Sequence, residues 1–253
     1  YSTIHHNTCH INMKWKRAIQ YLFQQLLGTD HYLFLTGLYQ WCVVRHIRPD
    51  QELEFFLQTI PAGGIIVDAG ANLGITSLLM EQKRPDCTII SFEPVPANFR
   101  CCQKMIRLFG KGRIQLHESA LSNSSGQLRM WQPSENGVIM HGLSRVFNND
   151  LQGNETFIVP ATCLNDLPEL QSPVNWGGLK IDVENFEWHV LRGGVEVIKK
   201  FRPVIYCEIW DTPYKDQTLQ LLRSLGYSVF VWKVNRLESY KEQTALNFFL
   251  LPD

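Results

Sequence analysis

Two hydrophobic rhythms divide the chain. Within residues 13–27, Ile19, Leu22, Phe23 and Leu26 recur at i, i+3, i+4 and i+7, the spacing of one helix face, and Gly28 closes the run. "DQELEFFLQTI" repeats the pattern with Leu53, Phe56, Leu57 and Ile60 and stops at Pro61. These two helices, with the segment between them, predict an N-terminal helical extension over residues 1–60. From Gly63 the period changes. "GGIIVDAG" is a short apolar run between glycines, the pattern of a strand buried on both faces, and a helix is expected from about Asn72 to Gln82. Strand "CTIISFEP", helix "PANFRCCQKMIRLFG" and strand "RIQLHESAL" follow. Strands alternating with helices at this interval predict a parallel sheet covered on both faces.

Residues 122–165 break the rhythm. "SNSSG", "QPSENG" and "NNDLQGN" are turn-rich clusters between short strand-like pieces, which predicts an inserted hairpin or loop region over one end of the sheet. The alternation then resumes with "GLKIDVE" as strand, "FEWHVLRGGVEVIKKF" as helix and "RPVIYCEIW" as strand. Helix "DQTLQLLRSLG" and two closing strands, "YSVFVWKV" and "ALNFFLLP", end the chain. No repeat or low-complexity linker interrupts residues 61–253, so a single α/β domain is expected there.

Composition narrows the class. Hydrophobic residues make up 45% of the 253, a globular proportion. The formal net charge is zero and no long basic run exists, which argues against nucleic acid or an anionic membrane as the main partner. "HYLFLTGLYQWCVVRH" is shorter than the roughly 20 apolar residues a bilayer requires, so no transmembrane segment is expected and its aromatics are assigned to core packing. Seven cysteines with no CxxC pair predict reduced thiols and a cytoplasmic location. His5, His6, Cys9 and His10 lack the remaining spacings of a zinc site and read as a solvated leader. The chain opens at Tyr1 and not Met, which leaves room for an upstream targeting segment.

The candidate chemistry starts at "VDAGANLG", residues 67–74. In an open parallel sheet, ligands collect beyond the carboxyl ends of the strands. Asp68, Glu93, Asp182 and Glu208 all fall at or near such ends. A dinucleotide fingerprint G-x-G-x-x-G counted from Gly70 needs glycines at 72 and 75, where Asn72 and Ile75 stand. A G-x-x-x-x-G-K-[ST] loop is absent too. A phosphate-free adenosine fits better. Glu93 lies 25 residues beyond Asp68 (93 − 68), at the end of the next strand, where a carboxylate accepts ribose hydroxyl protons. S-adenosylmethionine has that ribose, a sulfonium cation and an ammonium-bearing tail.

"VDAGANLG", "SFEPVPAN", "ESALSNSSG", "GLKIDVENFEWHVLRGG" and "RPVIYCEI" together resemble, in order and spacing, the FkbM family of S-adenosylmethionine-dependent methyltransferases, over about residues 60 to 210. The resemblance implies a class I, Rossmann-like methyltransferase fold, a seven-stranded, mostly parallel sheet with a reversed terminal hairpin. It also implies O-methylation of a hydroxyl on a sugar, glycolipid or polyketide-like product. Two positions depart from the family pattern. Asn185 stands where K-I-D-V-E-G has glycine, and Leu164-Asn165 stands for the usual L-D.

Asp68, Gly70, Ala71, Asn72 and Gly74 are assigned to the methionine-tail side of the cofactor, Glu93 to its ribose, and Pro94 to stiffening that turn. Glu118, Ser119 and Ala120 are placed along the adenine. If the strand continues, "KIDVE" turns Lys180, Asp182 and Glu184 the same way, and Asp182 is the first candidate for the base that takes the acceptor proton, with Glu184 and Glu208 behind it. His117, His141 and His189 are weaker candidates. Ser144 and Arg145 in the insertion, and Trp131 and Trp176, are possible acceptor contacts. The carboxylates leave a divalent metal open. A silent cofactor-binding scaffold and a nucleotide-cofactor oxidoreductase remain as alternatives. Retention of Lys180, Asp182 and Glu184 weighs against the first, and the missing glycine against the second. Oligomeric state and the identity of the acceptor have no signature in the pattern.

Overall fold

Two apolar runs far apart in sequence lie side by side in the middle of the sheet. In the computed structural model, which describes residues 22, 24–47, 49–135, 138–139, 144–146, 156–171 and 175–253, Gly64–Ala69 pairs in parallel with Trp176–Ile181. Nearly every residue of both is buried, as continuous hydrophobicity requires of strands covered on two faces.

In chain order, α1 (Thr29–His46) and α2 (Gln51–Thr59) precede β1 (Gly64–Ala69), α3 (Ile75–Lys83), β2 (Cys87–Phe92), α4 (Pro96–Phe109) and β3 (Ile114–His117). The middle of the chain supplies β4 (Ala120–Leu121), β5 (Gly126–Trp131), β6 (Ser134–Glu135), β7 (Val138–Ile139), β8 (Arg145–Val146) and β9 (Thr156–Thr162). Then come β10 (Trp176–Ile181), α5 (Glu187–Arg192), α6 (Val195–Phe201), β11 (Val204–Glu208), α7 (Lys215–Ser224), β12 (Tyr227–Lys233), β13 (Arg236–Ser239) and β14 (Asn247–Pro252).

The main sheet runs β13-β12-β14-β11-β10-β1-β2-β3. Strands β3, β2, β1, β10 and β11 are parallel, and β14 runs antiparallel between β11 and β12. It has eight strands where seven were expected. The extra one, β13, arises because Val234 and Asn235 take φ 49° and 60°, the paired positive values of a two-residue hairpin turn, and fold the chain back onto β12.

Other boundaries differ for local reasons. "RIQLHESAL" breaks after His117, so that β3 stays in the main sheet while β4 pairs with β9 in a second sheet, ordered β4-β9-β5-β8. The helix expected across residues 186–201 divides into α5 and α6 at Gly193-Gly194. A Cβ on Gly193 would stand 2.0 Å from the Ser122 carbonyl oxygen, so this corner must stay bare where the inserted sheet comes close. Asn165, one of the two departures from the family pattern, accepts the Val197 N–H at 3.2 Å near the start of α6.

The core has two main layers. On one face, Phe56 and Leu57 of α2 pack with Ile66, Ile89 and Phe249; on the other, Val190, Leu191 and Ile198 of α5 and α6 pack with Val67, Leu179 and Ile205. The aromatic-rich segment after Gly28 is a helix, α1, which seats Leu33 and Trp41 with Cys101 and Met105 of α4 and leaves Leu35 and Tyr39 exposed. Of the helix expected over 13–27, Leu22 and residues 24–27 are described and helical; the rest, with His5, His6, Cys9 and His10, lies outside the described residues. Among the described residues no helix is long and apolar enough to cross a membrane, and the six cysteines are free.

Candidate functional site

The loop after β1 is held almost entirely by backbone. Gly70 has φ 88°, and a Cβ there would stand 1.9 Å from the Asp182 carbonyl oxygen. The Gly70 and Ala71 N–H groups donate to the Phe92 carbonyl at 3.0 and 2.9 Å, and the Asp182 N–H donates to Ala69 at 3.0 Å. The ends of three parallel strands are thus tied together, and only glycine fits at the crossing. Asn72 takes φ 51° and α3 begins at Ile75, three residues later than the pattern predicted, because Gly74 (φ 87°) is still in a left-handed turn.

Glu93 closes this loop from the next strand. Its Oε2 accepts the Asn72 N–H at 2.8 Å and its Oε1 the Val95 N–H at 2.9 Å, while the Asn98 side chain also bonds to it. Burial pushes the carboxyl up to about 7 against the pull of those hydrogen bonds. A carboxylate with one amide on each oxygen keeps acceptor capacity to spare, and Glu93 lines the cavity described below.

Asp68 and Lys180 lie behind the loop, not in it. Asp68 is fully buried; its Oδ2 accepts the Ser77 hydroxyl at 2.6 Å and its Oδ1 stands 3.2 Å from Lys180 Nζ. Lys180 also donates to the Gly70 carbonyl at 3.0 Å and stands 3.6 Å from Asp182 Oδ2. Burial works against its ammonium, but Asp68 and Asp182 outweigh that and raise its pKa. Both residues were expected to face ligand. They form instead a buried strut under the loop, because at their paired position in the register the side chains turn into the layer between sheet and helix.

Beyond Ile181 the strand stops. Glu184 and Asn185 take φ 54° and 72°, so the alternation that would have aligned Lys180, Asp182 and Glu184 does not continue. Asn185 replaces the family glycine in the left-handed conformation that asparagine tolerates. A residue absent from the sequence reading, Glu187, holds this turn: it is buried, accepts the Asn185 N–H at 3.0 Å and bonds the Val183 backbone. Its only sequence signal was a second acidic residue three places beyond Glu184. Asp182 is left half-exposed. Burial, with Asp182 and Glu208 nearby, raises the Glu184 carboxyl to about 7, and Arg145 draws it down. Burial and Asp182 likewise raise Glu208. Among the described residues, no three of His, Cys, Asp and Glu converge as a metal site would need.

These elements line one cleft, partly open to solvent. Of the residues singled out from sequence, Gly70, Asn72, Glu93, Pro94, Ser119, Ala120, Asp182 and Glu184 line it; Asp68, Ala71, Gly74, Glu118, Lys180 and Glu208 do not. Glu118 points to solvent. The apolar wall was not legible in the sequence: Phe92 and Val95 from the β2 side, Met130 and Val146 from the inserted sheet, and Phe186. Ser144 also lines the cleft and bonds Gln132 at 3.0 Å, whereas Arg145 lies 5.0 Å over the Trp131 ring. Trp176 is no acceptor contact: it is buried in the core with its indole N–H on the Gly178 carbonyl. His117 stacks on Phe92 at 4.9 Å and His189 on Phe186 at 4.1 Å, both outside the lining, and His141 lies outside the described residues.

A family model, the methyltransferase FkbM domain, matches residues 68–229. The chain belongs to this family. It is 29% identical over 191 residues to Methyltransferase 1 of Beauveria bassiana (strain ARSEF 2860), covering 68% of this chain and 75% of that protein. It is 25% identical over 199 residues to Methyltransferase sdnD of Sordaria araneosa, covering 68% and 77%. The crystal structure of methyltransferase FkbM from Methylobacillus flagellatus KT superposes with a TM-score of 0.50 at 13% identity, over 90% of this chain. This chain spans 59% of that one, and the likeness is one of fold. The FkbM match begins at Asp68 and takes in the glycine loop, Glu93, the inserted sheet, the β10 end and β11.

Proposed function

We propose that the chain transfers a methyl group from S-adenosylmethionine to a hydroxyl of a sugar, glycolipid or polyketide-like small molecule. The observation that carries this reading is that the bare Gly70 loop, the Glu93 carboxylate and the half-exposed Asp182 carboxylate share the lining of one cleft. Its walls carry acidic and apolar groups, which suits a cationic, phosphate-free nucleoside.

When bound, S-adenosylmethionine supplies an electrophilic methyl group on a sulfonium. Glu93 would accept the ribose hydroxyls, with Ser119, Ala120 and Phe92 beside the base and the Gly70–Asn72 backbone along the amino acid tail. Pro94 and the Asn72 and Val95 amides keep the Glu93 carboxylate aimed. At the other end of the cleft, Asp182 would take the proton from the acceptor hydroxyl as that oxygen attacks, with Lys180 holding the carboxylate in place from below. Glu184 is the second acceptor on the same rim.

Calorimetric titration with S-adenosylhomocysteine, beside the Glu93→Ala variant, tests the cofactor half of this reading. Saturable binding that the variant loses supports it, and labelled methyl transfer to a panel of hydroxyl acceptors then tests the other half. An intact chain that binds none of the ligand overturns the proposal.

A further inference from the structure

Helices α1 and α4 lie side by side and run the same way. Arg100 forks onto the Asp30 carboxylate at 3.0 and 2.8 Å, Lys104 Nζ stands 3.7 Å over the Phe34 ring, and Phe109 meets Trp41 at 5.9 Å. With Leu33, Gly37 and Trp41 turned inward, the outward stripe of α1 is His31, Leu35, Tyr39, Cys42 and His46. Its middle is apolar where an outer face is ordinarily polar: Leu35 is 50% exposed and Tyr39 70%. Alongside, α4 exposes Arg100, Lys104 and Arg107 at i, i+4 and i+7, with Leu108 exposed beside them and Lys111 following. The charge here is one-sided. Neither 31–49 nor 94–113 holds an Asp or Glu, in a chain whose acidic and basic residues balance at 24 each. Asp30 and Glu118 both sit by Arg100, near the head of α4, and leave its tail basic. Glu81, which accepts the Lys111 and Arg113 backbone N–H groups, is buried.

We propose that this face docks on an anionic lipid bilayer. Leu35 and Tyr39 enter the boundary between headgroups and acyl chains, and the cations of α4 lie on the lipid phosphates. Peripheral attachment needs two signals together, apolar area to insert and positive charge to hold it against the surface, and the paired helices supply one each. A nucleic acid would engage the cations and leave Leu35 and Leu108 in water. A second copy docked about a two-fold axis would bring two basic ridges together. The pattern along the chain conceals this surface, because its ridges come from segments 70 residues apart (100 − 30) and no single basic run forms. Docking of this kind does not depend on what the cleft binds.

The test is co-sedimentation of the full chain with vesicles of phosphatidylcholine alone and of phosphatidylcholine mixed with phosphatidylserine, at low and high salt. Two double variants run in parallel, Arg107→Gln with Lys111→Gln and Leu35→Gln with Tyr39→Gln. All four side chains are exposed, and scanning calorimetry checks that both variants stay folded. The unmodified chain is expected to bind the anionic vesicles and to be released by salt. Loss of the two cations should weaken that binding roughly 10- to 30-fold. The apolar double variant should lose binding at either salt concentration. No binding of the unmodified chain to anionic vesicles overturns the proposal, and so does equal binding to neutral ones. Binding that both variants keep places the contact elsewhere and overturns it too. A dimer seen by sedimentation velocity that Leu35→Gln with Tyr39→Gln disperses, in a chain that ignores vesicles, gives the face to a second copy instead.

Discussion

Lys180 and Asp68 face each other in register on neighbouring parallel strands, Nζ to Oδ1 3.2 Å, almost wholly out of water. The pair has no outlet to solvent, so deleting one member strands the other charge in the interior. Lys180→Met is expected to destabilise the fold by about 3–5 kcal/mol, and Asp68→Asn combined with Lys180→Met to recover much of that. Urea denaturation of the two singles and the double measures it. A harmless Lys180→Met would mean that the ion pair does not hold the loop.

Gly70→Ala adds a Cβ 1.9 Å from the Asp182 carbonyl at a φ of 88°. Either the loop or the end of β10 must move, and both line the cleft. The expected result is a loss of affinity for S-adenosylhomocysteine of roughly 10- to 100-fold, from strain of about 1–3 kcal/mol relieved by displacing the loop. Affinity within twofold of the unmodified chain would show that the loop does not carry the cofactor.

Stability should fall as pH rises from about 4.5 to about 7. Burial pushes Glu93, Glu184 and Glu187 each up to about 7 and raises Glu208 as well, so in this window the folded chain holds protons that the unfolded chain has released. His189, lowered by burial, opposes them below its ordinary value. The acidic groups outnumber it, and scanning calorimetry should give a higher midpoint at pH 5.5 than at pH 8. Glu187→Gln, which keeps a hydrogen-bond acceptor, should flatten the slope; a rising midpoint in the unmodified chain would contradict this account.

Cofactor affinity should run the other way. If Glu93 takes ribose hydroxyls, its ionised form is the competent one, and binding of S-adenosylhomocysteine tightens as pH rises to about 7 and then levels. Glu93→Gln should bind more weakly at every pH and lose the slope. A slope that persists in the variant would assign the titration to another group.

Asp182→Asn keeps the shape of the side chain and removes its basicity. Turnover is expected to fall by about 10² or more while the affinity for S-adenosylhomocysteine stays within a few-fold. Rapid-quench or labelled-methyl assays measure the first and calorimetry the second. Full activity in Asp182→Asn would pass the role of base to Glu184.

The apolar runs 64–69, 87–92 and 176–181 and the glycines at 70 and 74 were readable because each expresses a local requirement: double-sided burial for the strands, positive φ for the glycines. The direction of Asp68 and Lys180 was not, since it depends on the register of strands 112 residues apart (180 − 68) and on Ser77 arriving from α3. The turn at Glu184 and Asn185 was half legible. Asparagine signalled a left-handed residue, but the hold of Glu187 on that turn appears only when helix α5 is in place. β13 was missed because valine at φ 49° breaks the usual preference for glycine or asparagine in a tight hairpin. Met130 and Val146 reach the cleft through pairings within the inserted sheet that no periodicity reports.

The cleft is built from two materials. The side around the Gly70 loop consists largely of backbone: amides of Gly70 and Ala71 on Phe92, of Asn72 and Val95 on Glu93, and of Asp182 on Ala69. Its other side consists of side chains carried on β5, β8 and the segment after β10. Sequence drift acts on side chains and leaves a main-chain lattice intact, so the two halves are free to change at different rates. The side-chain half could be exchanged wholesale for the segments of a relative while the backbone half kept its shape. For a protein engineer, this is a socket with an interchangeable face.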